Sequence, residues 1–161
     1  MLLALDTALL RLMRTRGHAP SVERAVATFS RIGEHGAVWL TLSAAGAAID
    51  QRRRPLFLRA GRTVALSFAA NQAVKLVVRR GRPELNGLPP LVQTMSNRSY
   101  PSAHATTSAA GSRALGALLP PTPLYLLAVS LALTRPYLGV HYPSDTIAGA
   151  ALGLAVAELV R

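Results

Sequence analysis

The sequence predicts an all-α protein, a membrane-embedded bundle of about five short transmembrane helices preceded by amphipathic helices. Three observations predict it. Half of the 161 residues are apolar and only 16% are charged, against roughly 25% in soluble proteins. Apolar segments near 36–49, 63–78, 103–119, 122–139 and 145–160 follow one another between Arg-rich or Pro-rich breaks. Aromatic residues are few while Ala, Leu and Val dominate, which suits closely packed helices better than a β-sandwich. The length fits one domain, 1–161, made of an interfacial segment, 1–33, and a transmembrane core, 34–161, that carries the candidate chemistry.

Residues 2–16 read as an amphipathic helix. Leu2, Leu5, Leu9, Leu12 and Met13 share one face at helical spacing, and Thr7, Arg11 and Arg14 share the other. Such a helix is suited either to the membrane interface, with arginines near the headgroups, or to a surface position with its apolar face packed on a core. Without a basic region before the apolar run or a small-residue cleavage site, it does not read as a signal peptide. Gly17 to Pro20 break the helix, and a second amphipathic stretch runs over 21–32. A full span takes about 20 apolar residues. The apolar segments are shorter, and the second contains Asn71, Gln72 and Lys75; their succession, rather than any one of them, predicts the bundle. Arg52, Arg53, Arg54, Arg59 and Arg62 form a loop between the first two segments. Gly149 and Gly153, four residues apart in the last segment, let helix backbones approach closely.

The formal charge is +11, and all cationic residues but Lys75 are Arg. A basic balance points to nucleic acid, an anionic membrane surface or an anionic substrate. A nucleic-acid binder carries its basic face on a polar fold. Here the arginines cluster between apolar runs, so the expected partners are a membrane and an anionic substrate, not nucleic acid. The absence of Cys excludes disulfides and thiolate metal sites.

Three clusters place polar residues at the ends of apolar helices. The first runs from Lys75 to Pro83, KLVVRRGRP. The second is Pro101-Ser102-Ala103-His104, opening a helix. The third, TRPYLGVHYPSD, holds Arg135, His141 and Asp145. A lone Lys in an apolar helix is costly unless it faces a cavity or an anion. Arg and Lys bind phosphate oxygens through charge-assisted hydrogen bonds. Ser102 and the free N–H groups of a helix N-terminus add an anion cradle. Pro143 fits the first turn of the last helix, which leaves His141 just before it and Asp145 four residues on, close enough to orient the imidazole. Two histidines in such a site suggest a nucleophile and a proton donor.

Taken together, Lys75…Arg82-Pro83, Pro101-Ser102-Ala103-His104 and Thr134-Arg135…His141…Asp145 resemble, in order and internal spacing, the three motifs of the type 2 phosphatidic acid phosphatase superfamily. The motifs span 75–145, and the helical pattern extends the likeness over most of the chain. Ala103 stands where the family usually has Gly, and Thr134 where it has Ser; neither change removes a catalytic group. The resemblance implies a lipid phosphatase in which His141 attacks phosphorus to form a phosphohistidine. Asp145 keeps His141 nucleophilic, and His104 protonates the leaving oxygen and then activates water. Lys75, Arg82, Ser102 and Arg135, with N–H groups near Ala103, hold the phosphoryl oxygens. It implies no metal and no cofactor, and a place in the bacterial plasma membrane.

Arg79 and Arg80 flank the first motif and are candidate headgroup contacts or plain interfacial anchors. Glu34 and His35 open the first apolar segment on the same face and are candidates for the entrance. Arg24, Arg31, Arg79, Arg80 and Arg98 on that face nearly balance Arg52, Arg53, Arg54, Arg59, Arg62 and Arg161 opposite, so the positive-inside rule assigns no orientation. Substrates open to such a site are polyprenyl phosphates or diphosphates, phosphatidic acid and phosphatidylglycerol phosphate. The small size, SRIGEH and PSAHATTSAA are similar to short actinobacterial family members linked to decaprenylphosphoryl-ribose 5-phosphate. Two other classes share the fold or the motifs. One is a non-catalytic lipid-binding or transport protein, against which the intact His, Asp and Arg set argues. The other is the vanadate-dependent haloperoxidases, which are soluble and much larger.

Overall fold

The computed structural model describes residues 2–160; Met1, Arg161 and the side chain of Leu2 lie outside the described residues. The amphipathic stretches form α1 (Leu2–Thr15) and α2 (Pro20–Arg31). A 3-10 turn, Glu34–Gly36, leads into α3 (Ala37–Ile49). There follow α4 (Arg54–Val78), α5 (Ala103–Leu115), α6 (Pro121–Tyr137) and α7 (Pro143–Leu159). Among the described residues the only extended pairing is a single antiparallel bridge between Gly81 and Arg98. Proline opens α2, α4, α6 and α7, where its missing N–H has no intrahelical partner to lose.

The central element is α5, with α7, α6 and α4 packed around it. Its sequence, AHATTSAAGSRAL, is short-chained and mildly polar, so neighbouring backbones come very close. A Cβ on Gly153 would lie 2.1 Å from the Thr106 carbonyl oxygen, and one on Gly149 would lie 2.5 Å from that of Ser102. The glycine pair of the last segment is thus where α7 meets α5. At the far end of the bundle, Trp39, Phe57, Val64, Leu115 and Leu131 form an apolar core.

Polarity is otherwise turned inside out. Ser43, Thr63, Ser67, Asn71, Thr106 and Ser108 are buried, while Leu58, Leu66, Leu76, Leu126, Val129 and Ile147 are exposed. The buried hydroxyls bond back to their own helices, as Ser43 does to the Trp39 carbonyl at 2.8 Å and Ser67 to that of Val64 at 2.7 Å. This is the i−3/i−4 pattern open to Ser and Thr within a helix.

Of three expectations, one is met in part and two need correction. First, no helix among the described residues is long and apolar enough to cross a membrane. The 13-residue α3 and α5 extend about 20 Å and the 17-residue α6 and α7 about 26 Å, against a hydrocarbon core of about 30 Å. The 25-residue α4 has the length but carries Arg59, Arg62 and Lys75. Second, Arg54, Arg59 and Arg62 belong to α4 rather than to a loop, because the helix starts at Arg54 with Pro55 in its first turn. Third, α1 turns its leucine face outward, as an interfacial helix does, but draws Arg14 of its polar face inward. It buries Asp6, Leu10 and Arg14 and exposes Leu5, Leu9 and Leu12. Its charged groups find partners inside: Arg14 donates to the Pro89 carbonyl at 2.8 Å, and Asp6 is held as described below.

Candidate active site

The C-terminal end of α4, the N-termini of α5 and α7 and the C-terminal end of α6 meet at one end of the bundle. There Lys75, Arg82, Ala103, His104, Arg135 and His141 line one cavity of about 570 Å³. Lys75, His104, Arg135 and His141 are buried and form its inner end; Glu34, His35 and Gln72 are exposed at its mouth.

Lys75 and Arg82 are fixed by carbonyl groups and Arg135 by a hydroxyl. Lys75 donates from Nζ to the carbonyls of Arg98 and Ser99, at 3.1 and 3.3 Å. Arg82 donates to the carbonyls of Ser96 and Val140, at 2.7 and 2.6 Å. Arg135 donates from Nη1 to the Ser30 hydroxyl at 2.8 Å, while its Nε is buried without a partner. The fully buried Ser102 hydroxyl also lacks a partner, although its backbone N–H is anchored on the Asp145 carbonyl at 2.9 Å. Buried polar atoms are seldom left unsatisfied. Of these two, Arg135 Nε belongs to a cation that lines the cavity, and with Lys75 and Arg82 beside it the lining describes a place for an anion.

The imidazole of His141 lies in the short link between α6 and α7. Its Nε2 is 3.3 Å from Nη1 of Arg82. Since guanidinium only donates, Nε2 is the acceptor and carries the free lone pair. Nδ1 then bears the proton and sits 3.5 Å from Asp145 Oδ2. Burial pushes the His141 pKa down to about 3; the Asp145 carboxylate opposes this, and the charges of Arg82, Arg135 and Lys75 reinforce it. At neutral pH the ring is uncharged, as a nucleophile requires. Asp145 is fully buried, and its carboxylate also accepts the Tyr142 N–H at 2.9 Å.

The second histidine, His104, stands one residue into α5. Its Nε2 donates to the Ser30 carbonyl at 3.0 Å, which leaves Nδ1 as the ring nitrogen without a protein partner.

Of the remaining predicted residues, Glu34 and His35 line the cavity, whereas Arg79 and Arg80 do not. Arg79 takes a left-handed backbone conformation, φ 53°, ends α4 and donates to the Leu76 carbonyl of its own helix. Arg80 turns away from the cavity and bonds Asp145 from behind, at 2.9 Å. It is not placed to meet a substrate headgroup.

Sequence reasoning missed Ser30, Asn71 and Asp6. Ser30, at the end of α2, holds both His104 and Arg135. Asn71 donates to the Pro101 carbonyl and the Thr106 hydroxyl, at 3.2 and 2.9 Å, and so fixes the start of α5. Its one sequence signal was an amide inside an apolar run. Asp6 was legible only as the sole carboxylate of a leucine-rich helix.

Residues 56–161 match the model of the PAP2 superfamily. The chain is 37% identical over 144 residues to decaprenylphosphoryl-5-phosphoribose phosphatase of Mycolicibacterium smegmatis, a match covering 89% of this chain and 80% of that protein. It is 42% identical over 135 residues to the protein of the same name from Mycobacterium tuberculosis, covering 81% and 74%. A transmembrane PAP2-type phosphatidylglycerolphosphate phosphatase from Bacillus subtilis shares its fold. That crystal structure superposes with a TM-score of 0.80 at 23% identity, over 99% of this chain and 84% of the other. The chain belongs to the PAP2 superfamily and is a phosphatase.

Proposed function

We propose that the chain is a membrane lipid phosphatase that removes the terminal phosphate of a polyprenyl-linked sugar phosphate through a phosphohistidine at His141. One observation carries the chemistry: a neutral imidazole with its Nε2 lone pair held inside a cavity among three fixed cations, one of which, Arg135, keeps a buried N–H without a partner.

In this reading Nε2 of His141 attacks phosphorus. The P–N bond forms as the bond to the leaving oxygen breaks, and His104, which takes up a proton at Nδ1 from the bound phosphate monoanion, gives that proton to the leaving oxygen. Positive charge develops on the His141 ring, which Asp145 offsets at Nδ1. Lys75, Arg82, Arg135 and Ser102 bind the equatorial oxygens where charge accumulates, so the field is in place before reaction. In the second step His104 takes a proton from water, whose oxygen attacks phosphorus. The P–N bond breaks, and inorganic phosphate leaves.

The substrate class rests on the two relatives, whose names specify a decaprenyl-linked 5-phosphoribose. The membrane setting is supported by the outward Leu58, Leu66, Leu126 and Ile147 around a polar interior, since exposed apolar surface on this scale marks an interaction with lipid or protein. Helices shorter than the bilayer are accommodated by local thinning.

The test is phosphate release from a panel of lipid phosphates in detergent with EDTA present, wild type beside His141→Ala. Release by the wild type alone, greatest with the polyprenyl sugar phosphate, is the expected result. Equal release by both proteins would remove His141 as the nucleophile. Complete loss of wild-type activity in EDTA would contradict a metal-free reaction.

A further inference from the structure

We infer that Asp6 of α1, acting through Arg80, is a positioning residue for the His141–Asp145 pair, and that the N-terminal helix is thereby part of the catalytic apparatus. The inference rests on the reading of His141 as nucleophile given above.

The chain of contacts is continuous. Oδ2 of Asp145 faces Nδ1 of His141, and its Oδ1 accepts from Nη1 of Arg80 at 2.9 Å. The same Nη1 donates to the Ser144 hydroxyl at 2.7 Å, and Nη2 donates to Asp6 Oδ2 at 2.7 Å. The Arg80 guanidinium lies 4.0 Å over the ring of Tyr142, so its plane is fixed. Asp6 accepts the Ser144 N–H at 3.0 Å and also the Ser144 hydroxyl. Burial pushes the Asp6 pKa up, but the Ser144 bonds and Arg80 hold it below the ordinary carboxylate value, so Asp6 is ionised.

Charge explains why a second carboxylate is needed. Arg80 and Asp145 alone would be a neutral pair, with little field left for the ring. With Asp6 sharing the guanidinium, the cluster carries a net negative charge, which favours the cation developing on His141 during attack. Lys75, Arg82 and Arg135 face that ring from its other sides, so this negative charge is what opposes them.

The build of α1 fits the role. Its buried stripe is Asp6, Leu10 and Arg14, while Leu3, Leu5, Leu9 and Leu12 point outward. A helix serving only as an anchor gains nothing by burying a carboxylate that must then be paired. Moreover α1 lies outside the family-matched region, which begins at residue 56.

The experiment compares full-length wild type, Asp6→Asn, Asp6→Glu and the outward control Leu9→Ala in detergent. Steady-state kinetics are measured on a lipid phosphate, and ¹⁵N-imidazole NMR reports the His141 tautomer without turnover. Outer hydrogen-bond partners of metal-bound histidines are worth about 10–100-fold in activity, and an effect of the same order is expected for a partner of the carboxylate that orients His141. Asp6→Asn is expected to lose about tenfold or more in kcat at unchanged KM and to shift population from the Nδ1–H to the Nε2–H tautomer. Asp6→Glu, which keeps the charge, recovers most of both, and Leu9→Ala behaves as wild type. An unaltered kcat and tautomer in Asp6→Asn, or equal losses in Asp6→Asn and Asp6→Glu, overturns the inference. A wild type that hydrolyses no lipid overturns the proposed function instead, and the tautomer comparison then decides the coupling alone.

Discussion

At one end of the bundle Trp39, Phe57, Leu115 and Leu131 fill the space between α3, α4, α5 and α6. At the other end three of the same helices turn Lys75, His104 and Arg135 inward. The first end is closed by apolar contact, with the Trp39 indole N–H satisfied by the Ser108 hydroxyl at 3.1 Å. The second holds cations side by side and leaves Ser102 Oγ and Arg135 Nε without partners. The difference teaches where stability and chemistry sit. Tight packing at one end sets the helix spacing, and that spacing holds together, at the other, charges that repel one another until an anion arrives.

The largest expected effects separate the two ends. His104→Asn removes the proton donor and is expected to lower kcat by about 10²–10⁴, with little change in the unfolding midpoint. Phe57→Ala is expected to do the reverse. It opens a cavity worth about 3–5 kcal/mol while the folded fraction turns over at the wild-type rate. Kinetics and thermal unfolding on the same preparations check both. A Phe57→Ala protein that is stable but slow would show that the apolar end does more than hold the helices apart.

A smaller effect sharpens the same contrast. An oxyanion that occupies the cavity relieves the cation crowding, so orthovanadate or inorganic phosphate is expected to stabilise wild type. At ten times its dissociation constant the gain is about 1.4 kcal/mol, read as a rise in the unfolding midpoint. Arg135→Gln should lose most of that rise, and Phe57→Ala should keep it from a lower starting point. A rise of equal size in Arg135→Gln would place the anion elsewhere.

The two ends also differed in how far they could be read from sequence. The helices and the spacing of Lys75, Arg82, His104, Arg135, His141 and Asp145 were legible, because local periodicity and helix ends place side chains within one or two turns. The partners of those groups were not. Ser30 lies far along the chain from both His104 and Arg135, and only the docking of α2 on α6 brings it to them. Arg80 read as a headgroup contact or an interfacial anchor because it flanks the first motif, yet the left-handed turn at Arg79 is followed by an Arg80 that bonds Asp145 from behind. For α1 the helical period and the leucine face were legible, but the inward turn of Asp6 and Arg14 was not. Hydrophobicity orients a helix toward a core only when the surroundings are water, and here two charged residues find better partners inside than outside.

The last effect expected is the pH dependence of stability, and its sign follows from His141. Burial lowers its pKa to about 3 in the folded protein, from an ordinary value of 6.5. Above about 6.5 the ring is neutral whether the chain is folded or not, and its contribution to stability is fully present. As pH falls below that, the unfolded chain binds a proton that the folded site refuses, so stability declines until the folded pKa is reached. The unfolding midpoint of wild type should therefore drop between about pH 6.5 and 4. His141→Gln, which carries no titrating ring, should drop less steeply over the same range, and Phe57→Ala should follow the wild-type slope from a lower midpoint. Identical slopes in wild type and His141→Gln would mean that the ring is protonated in the folded protein. That would undermine its assignment as a neutral nucleophile from a direction that kinetics does not probe.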